Sequence, residues 1–260
     1  MEIEVLDFDK KANRLAVAIK DTNAAFVNAI RRIAMEEVPV LAIEDVELRK
    51  NSTVMYDEMI ALRLGLVPIK TEPGALNLPA ECKCAGAGCA QCQVKFILNV
   101  TEPGYVYSEE LKGKDPKIKP VLDKLPVAKM IKGQKLEIEA TAVLGQGKEH
   151  AKWSPGIVYY KHYPIIKATT DIKDPALAEK FPGIFTEKGG KIAINEAALI
   201  KSNLTDSIDE ITGGAVKVED KENDFIIYIE SWGQLECKEI LAEALRIYSE
   251  KIEALQKALK

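Results

Sequence analysis

Four of the five cysteines in this chain lie within eleven residues and are its strongest candidates for chemistry. Cys82, Cys84, Cys89 and Cys92 have the spacing C-x-C-x4-C-x2-C. Four thiolates this close in sequence can converge on one tetrahedral ion, which is the closed geometry typical of structural zinc. No histidine or carboxylate within the array would leave a coordination position open. We therefore predict one structural zinc ion that holds a loop and does no chemistry.

The residues between the two cysteine pairs support this prediction, although they leave other states of the thiols open. Gly86 and Gly88 let the backbone reverse direction without steric cost. The alternatives are reduced free thiols, a disulfide pair, or an iron–sulfur cluster, which ligation by cysteine alone also permits.

Other residue types that could do chemistry form no convincing catalytic constellation. Asp7 and Asp9 are expected to be turn residues of a hairpin, and His150 and His162 to be packed or exposed polar residues. The sequence contains no phosphate-binding loop, no dinucleotide-binding glycine motif and no nucleophile elbow. We predict that this chain carries no catalytic residues.

Composition narrows the class of protein further. The chain has 260 residues, enough for one or two domains with a real core, and 47% of them are hydrophobic. The net charge of −4 provides no global basic field, which disfavours a DNA-binding module. No run approaches the roughly 18 apolar residues of a membrane span, so no membrane partner is expected.

The N-terminal residues and the cysteines predict the compartment. The chain begins Met-Glu-Ile-Glu, which is not the start of a signal peptide. An isolated Cys237 and a metal-like array fit a reducing cytosol better than a secreted disulfide scaffold. We expect a cytoplasmic protein.

The two ends of the chain carry the clearest secondary-structure patterns. Alternating apolar residues predict an N-terminal β-hairpin, and a helix with Phe26, Ile30 and Ile33 on one face and Arg31 and Arg32 on the other follows. Near the C-terminus, alternation at Phe225, Ile227 and Ile229 predicts a strand, and a long helix follows. Hairpin, strand and helices can form one α+β layer pair, with the residues between them as an insertion.

The last helix carries a heptad pattern that predicts a partner. Its apolar residues step alternately by four and three: Leu241, Leu245, Tyr248, Ile252, Leu255 and Leu259. A helix this long outruns a small domain, so we expect it to pack against a second chain. The alternative is that it only covers the sheet of its own domain.

Several segments resemble one known family. Residues 26–32 read FVNAIRR, 56–69 read YDEMIALRLGLVPI, 148–155 read KEHAKWSP, and 225–233 read FIIYIESWG. These strings resemble the assembly-platform subunits of multisubunit RNA polymerases: the bacterial alpha subunit, the eukaryotic third-largest subunit and the archaeal D subunit. The cysteine array favours the archaeal members.

The resemblance implies an α+β fold in which a dimerisation domain, a sheet plus two helices, is split by an inserted domain. The implied bounds are residues 1–45 and 223–260 for the dimerisation domain, and 46–167 and 211–222 for the mostly-β inserted domain with the cysteine loop. Residues 168–210 would be a small ferredoxin-like subdomain. Archaeal relatives can hold an iron–sulfur cluster there through cysteines, but this segment has none. We expect no cluster.

The resemblance also implies partners and a role. The chain would pair with small subunit L, recruit small subunits N and P, and dock the two largest subunits, which carry the catalytic centre. It would meet DNA only within the assembled enzyme, a nucleotidyltransferase. The expected partner interface contains Phe26, Ile30, Arg31, Arg32, Ile33, Leu241, Leu245, Tyr248, Ile252 and Leu255. A free-standing zinc or redox protein that uses the cysteine loop is the alternative function.

Overall fold

The structure, a computed structural model, describes residues 1–172, 174–188, 191–202 and 204–259. Of the predicted ferredoxin-like subdomain, residues 173, 189, 190 and 203 lie outside the described part. The chain divides into two compact units. The first unit contains Met1–Asn28 and Tyr159–Tyr228, and the second contains Ala29–Val158 and Ile229–Lys260.

The described residues form antiparallel strands and helices, which confirms the predicted mixture of α and β structure. The helices are α1 Ala24–Glu36, α2 Asp57–Gly65, α3 Ala176–Lys180, α4 Glu196–Lys201, α5 Ile208–Ile211 and α6 Cys237–Ala258. The first strands are β1 Glu2–Asp9, β2 Arg14–Lys20, β3 Val40–Asn51, β4 Gln93–Val100, β5 Gly104–Tyr107 and β6 Lys112–Gly113. The others are β7 Pro126–Met130, β8 Leu136–Gly145, β9 Gly156–Ala168, β10 Phe185–Lys188, β11 Lys191–Ile194 and β12 Val216–Ser231.

The first unit begins with the predicted hairpin. Strands β1 and β2 pair antiparallel and belong to a four-stranded sheet of order β1-β2-β12-β9. Asp9 closes the hairpin, because its Oδ1 accepts hydrogen bonds from the backbone N–H groups of Lys11, at 2.8 Å, and Ala12, at 3.0 Å. Asp9 is thus the last residue of β1 and its side chain holds the turn. Asp7 lies within the strand, opposite Ala16, so the prediction that it is also a turn residue is wrong.

A small hydrophobic cluster lies elsewhere in the first unit. It is built on the β10–β11 hairpin and the short helices α3, α4 and α5. Its buried side chains are Ile172, Leu177, Phe185, Leu199, Ile208, Ala215 and Val216. These side chains therefore form a separate small apolar core around the β10–β11 hairpin.

The second unit is organised around a sheet of order β3-β8-β4-β6. Along β8 the side chains alternate between buried and half-buried, as predicted from the sequence. The buried face of β8 shares a core with Ile60 and Leu64 of α2, and both of these side chains are fully buried. This core supports the cysteine loop, since β4 begins directly after Cys92.

The long helix α6 also belongs to the second unit. Glu236 and Glu239 form a capping box at its start. Cys237 is 2% exposed, its Sγ lies 3.7 Å from the carbonyl oxygen of Ile229, and burial raises the pKa of its thiol. At about 1.5 Å per residue, the 22 residues of α6 extend about 33 Å. Among the described residues, no helix is long and apolar enough to cross a bilayer.

Candidate metal centre and helical seam

The cysteine loop is shaped by backbone turns around each pair of cysteines. Its stem is closed by a 2.9 Å hydrogen bond from the N–H of Asn77 to the carbonyl oxygen of Gln91. Between the pairs, Ala85, Gly86 and Gly88 all have positive φ angles, of 51°, 82° and 87°. Such angles cost glycine nothing, so the two glycines allow the reversal that the sequence predicted.

The four sulfur atoms converge on one point. All four Sγ atoms lie within 4.8 Å of one another. The separations are 3.6 Å for Cys82–Cys89, 3.5 Å for Cys84–Cys92 and 3.8 Å for Cys89–Cys92. Metal–sulfur bonds of about 2.3 Å in a tetrahedron require sulfur separations of about 3.8 Å. The cluster therefore fits a single tetrahedral metal ion.

The same sulfur–sulfur distances can be compared with the length of a disulfide bond. A disulfide needs an S–S distance of about 2.05 Å, far shorter than any in this cluster. All five cysteines are free thiols. The described residues therefore show free thiols rather than a disulfide.

The sulfur atoms are partly shielded from solvent and lie near backbone N–H groups. Cys82 and Cys92 are buried, and Cys84 and Cys89 are half-buried. The N–H of Cys89 points to Cys92 Sγ at 3.3 Å, and the N–H of Gln91 points to Cys89 Sγ at 3.4 Å. Backbone donors of this kind stabilise thiolates.

Proton sharing within the cluster nevertheless limits how many thiolates can form. Hydrogen bonds donated by Cys82 and Cys92 lower the pKa of Cys84 to about 6. At Cys92 the backbone N–H of Cys89 lowers the pKa, but burial and hydrogen bonds to Cys84 and Cys89 outweigh it and raise the pKa to about 12. Four adjacent thiols lose all their protons only when a cation compensates the charge. The donor set is thus suited to a divalent ion.

On α6 the predicted interface residues form a partly exposed apolar seam, which we define as Leu241, Leu245, Tyr248, Ile252 and Leu255. Leu241 and Tyr248 are half-buried, and the exposed fractions of Leu245, Ile252 and Leu255 are 38%, 40% and 60%. The face of α6 that packs into its own unit is different and contains Cys237, Ile240 and Ala244. The rest of this chain therefore leaves most of the seam uncovered.

Two of the five predicted interface residues of α1 are buried in this chain, unlike those of the seam on α6. Ile30 and Ile33 are only 1% and 6% exposed, so they belong to the interior of this chain. Phe26 and Arg31 are half-buried, and Arg32 is exposed and paired with Glu36 at 3.1 Å. The sequence pattern located this apolar face correctly but did not show that the chain itself covers it.

Both histidines make contacts with neighbouring residues of this chain. His150 Nδ1 accepts a 3.1 Å hydrogen bond from the N–H of Lys152, which caps a short 3-10 turn. His162 lies against the ring of Phe225, with ring centroids 4.6 Å apart. The sequence did not predict a contact made by Lys152. Its Nζ donates a 3.0 Å hydrogen bond to the carbonyl oxygen of Ile43.

Comparison with known proteins agrees with this architecture. The model of the RNA polymerase Rpb3/RpoA insert domain matches residues 43–157. A DNA-directed RNA polymerase subunit Rpo3 of Methanosarcina acetivorans is 36% identical over 98% of this chain and 97% of its own length. Rpo3 proteins of Methanopyrus kandleri and Methanobrevibacter smithii are 34% and 38% identical, over 100% and 96% of this chain and 97% and 95% of their own lengths. The chain therefore belongs to the Rpo3 family of DNA-directed RNA polymerase subunits.

Proposed function

We propose that the chain is an assembly subunit of an archaeal DNA-directed RNA polymerase, equivalent to the archaeal D subunit, and carries no catalytic residues itself. The observation that carries this proposal is the similarity to Rpo3 proteins along nearly the whole chain. In this role the chain pairs with small subunit L, recruits small subunits N and P, and docks the two largest subunits. DNA contacts then arise only in the assembled enzyme, a cytoplasmic nucleotidyltransferase.

The seam on α6 is the surface that we assign to subunit L. Burying a leucine or isoleucine side chain contributes about 1.5–3 kcal/mol. Leu245, Ile252 and Leu255 lie on one side of the helix and remain exposed in the single chain. A soluble monomer rarely keeps such residues in water, which supports a partner helix at this face.

We also propose the split domain arrangement. The dimerisation domain comprises residues 1–45 and 223–260, and the inserted domain comprises 46–167 and 211–222. Two observations support it: the insert-domain model matches residues 43–157, and strands from both ends of the chain share one sheet. Residues 168–210 form the ferredoxin-like subdomain without a cluster, because they contain no cysteine.

The cysteine cluster is assigned one structural zinc ion. Cys82, Cys84, Cys89 and Cys92 would hold it, and sulfur separations of 3.5–3.8 Å support this ligand set. Bound zinc supplies a rigid cross-link of the loop. The chain's own contribution is the backbone N–H groups that point to the sulfur atoms.

Native mass spectrometry of the chain captured from its own cells tests the function. We expect a complex that contains the large polymerase subunits and small subunits, with one zinc per copy of this chain. Recovery of the chain without other polymerase subunits, with thiols that undergo reversible oxidation, would instead support the redox alternative.

A further inference from the structure

A second surface of α6, separate from the seam, lines an open groove in the second unit. The groove encloses about 1050 Å³ between α6 and the loop segment 71–81. Its apolar lining includes Leu78 on the loop segment, Leu144 at the end of β8, and Ile247 on α6. The space between these side chains is open to a ligand.

The rim of the groove is strongly acidic. The lining contains six glutamates and two cationic residues. They are Glu37, Glu72, Glu81, Glu239, Glu243, Glu250, Arg246 and Lys251. An apolar floor between rows of carboxylates is an environment that attracts positive charge.

Ion pairs neutralise part of this charge: lining glutamates hold both cations, and Lys117, outside the lining, pairs with Glu72 at 3.2 Å. Arg246 donates to both carboxylate oxygens of Glu243, at 2.9 and 2.6 Å, and also pairs with Glu250. Lys251 pairs with Glu37. With Lys117 counted, the six lining carboxylates exceed the three cations by three, and the cations are not available for an anionic ligand.

The length of the groove fits a stretch of extended polypeptide. Along α6 the lining runs from Glu239 to Ala254, which corresponds to about 22 Å. An extended strand rises about 3.3 Å per residue, so about seven residues span this distance. Alternate side chains of such a strand point in opposite directions, toward the apolar floor and away from it.

We propose that this groove binds an extended basic segment of another protein chain, with apolar side chains on its floor and lysine or arginine side chains at its rim. The groove and the seam occupy different faces of α6. Ile247 and Glu250 line the groove, Leu245 and Ile252 belong to the seam, and the buried Ile240 and Ala244 lie between the two faces. Both surfaces can therefore be covered at once.

A peptide titration tests this proposal. The probe is a fluorescein-labelled, amidated heptapeptide of alternating lysine and leucine, and its charge-reversed analogue has glutamate in place of lysine. The full chain is co-expressed with the small subunit that we propose for the seam, and gel filtration shows whether that pairing exists before any peptide is added. Fluorescence anisotropy then measures peptide binding at two salt concentrations.

The test variant combines Glu72→Lys and Glu250→Lys, one on each wall of the groove. The control combines Glu58→Lys and Glu253→Lys, which are exposed positions of the same unit outside the groove and change the net charge equally. Glu239 is left intact because it caps α6.

We expect saturable, salt-sensitive binding of the lysine peptide to the unmodified chain and no binding of the glutamate peptide. The groove variant should weaken binding at least tenfold, and the control less than twofold. Equal loss in both variants would show attraction by net charge alone and would overturn the proposal. No binding to the unmodified chain, or unchanged binding to the groove variant, would overturn it as well.

Discussion

Gly145 lies directly against the indole ring of Trp153. A Cβ atom at position 145 would be 2.3 Å from Trp153 Cε2 and 2.4 Å from its Cδ2. The ring cannot easily move away, because Trp153 Nε1 donates a 3.2 Å hydrogen bond to the carbonyl oxygen of Val143. Only glycine fits at the end of β8.

We expect Gly145→Ala to lower the free energy of unfolding by about 1–3 kcal/mol, the usual effect of overpacking a core. The measurement is chemical denaturation of the two proteins side by side. Gly65→Ala is the matched control, since its Cβ would lie at an ordinary 3.6 Å from the carbonyl oxygen of Ile43. Equal stability of Gly145→Ala and the unmodified chain would contradict the close contact between position 145 and the Trp153 ring.

A charge on the seam should separate the chain from subunit L. Ile252→Asp places a carboxylate in the proposed interface, and an unpaired buried charge costs about 3 kcal/mol or more. We therefore expect pairing to weaken by at least about 100-fold, measured by co-purification and gel filtration. Ser249→Asp, on an exposed part of the same helix, should pair normally. If Ile252→Asp pairs as tightly as the control, the interface lies elsewhere.

Loss of one ligand should remove the metal without unfolding the protein. Cys89→Ser is expected to reduce zinc from about one ion per chain to nearly none, as measured by elemental analysis after gel filtration. Pairing through α6 should persist, because the seam lies outside the cysteine loop. Cys237→Ala should keep its zinc. A Cys89→Ser protein that retains zinc, or fails to fold as a whole, would contradict the assignment.

The chain should also be colourless when it is purified without oxygen. Residues 168–210 contain no thiolate for iron, and the sulfur separations in the cysteine loop fit one ion. Ultraviolet–visible absorption and iron analysis are the measurements. A broad band near 400 nm, together with stoichiometric iron and sulfide, would place an iron–sulfur cluster on the cysteine loop.

Asp224 should make stability depend on acid pH. Its side chain is buried, and its hydrogen bond with Lys221, followed by the 3.0 Å bond from the N–H of Asp21, lowers the pKa of its carboxyl despite burial. A carboxyl whose pKa is lower in the folded state stabilises the protein above its unfolded pKa, about 4. This contribution is lost as the pH falls through the folded value.

Asp224→Asn should therefore lower the unfolding free energy by about 1–3 kcal/mol at pH 7, and the difference should shrink steadily below about pH 4. Urea denaturation across this pH range measures both quantities. Asp220→Asn, at an exposed position nearby, is the control and should have little effect. A difference between Asp224→Asn and the unmodified chain that does not change with pH would show that the ionised carboxylate is not responsible.

Sequence reasoning succeeded where the relevant contacts are local. Four cysteines within eleven residues need only two tight turns to converge, and the alternation along β8 follows directly from the geometry of a strand. It fell short where contacts are distant in sequence. An apolar helix face does not show what covers it: the pattern predicts a partner at Ile30 and Ile33, whereas both side chains are buried within this chain.

The groove was missed for the same reason. Its two walls are α6 and the loop segment 71–81, which are far apart in sequence and carry no shared pattern. The glutamates on α6 look like an ordinary solvated helix face until the loop is placed opposite them. Only the folded chain brings the carboxylates of both walls together.

The burial of Cys237 has a practical consequence for labelling. The remaining thiols are the four of the cluster, and a bound ion would engage all of them. A cysteine introduced at an exposed position such as Ser249 would then be the single thiol open to a maleimide dye. One fluorophore or spin label per chain could thus be attached to α6 without removing any native cysteine, so that subunit association can be followed by energy transfer in the metal-loaded protein.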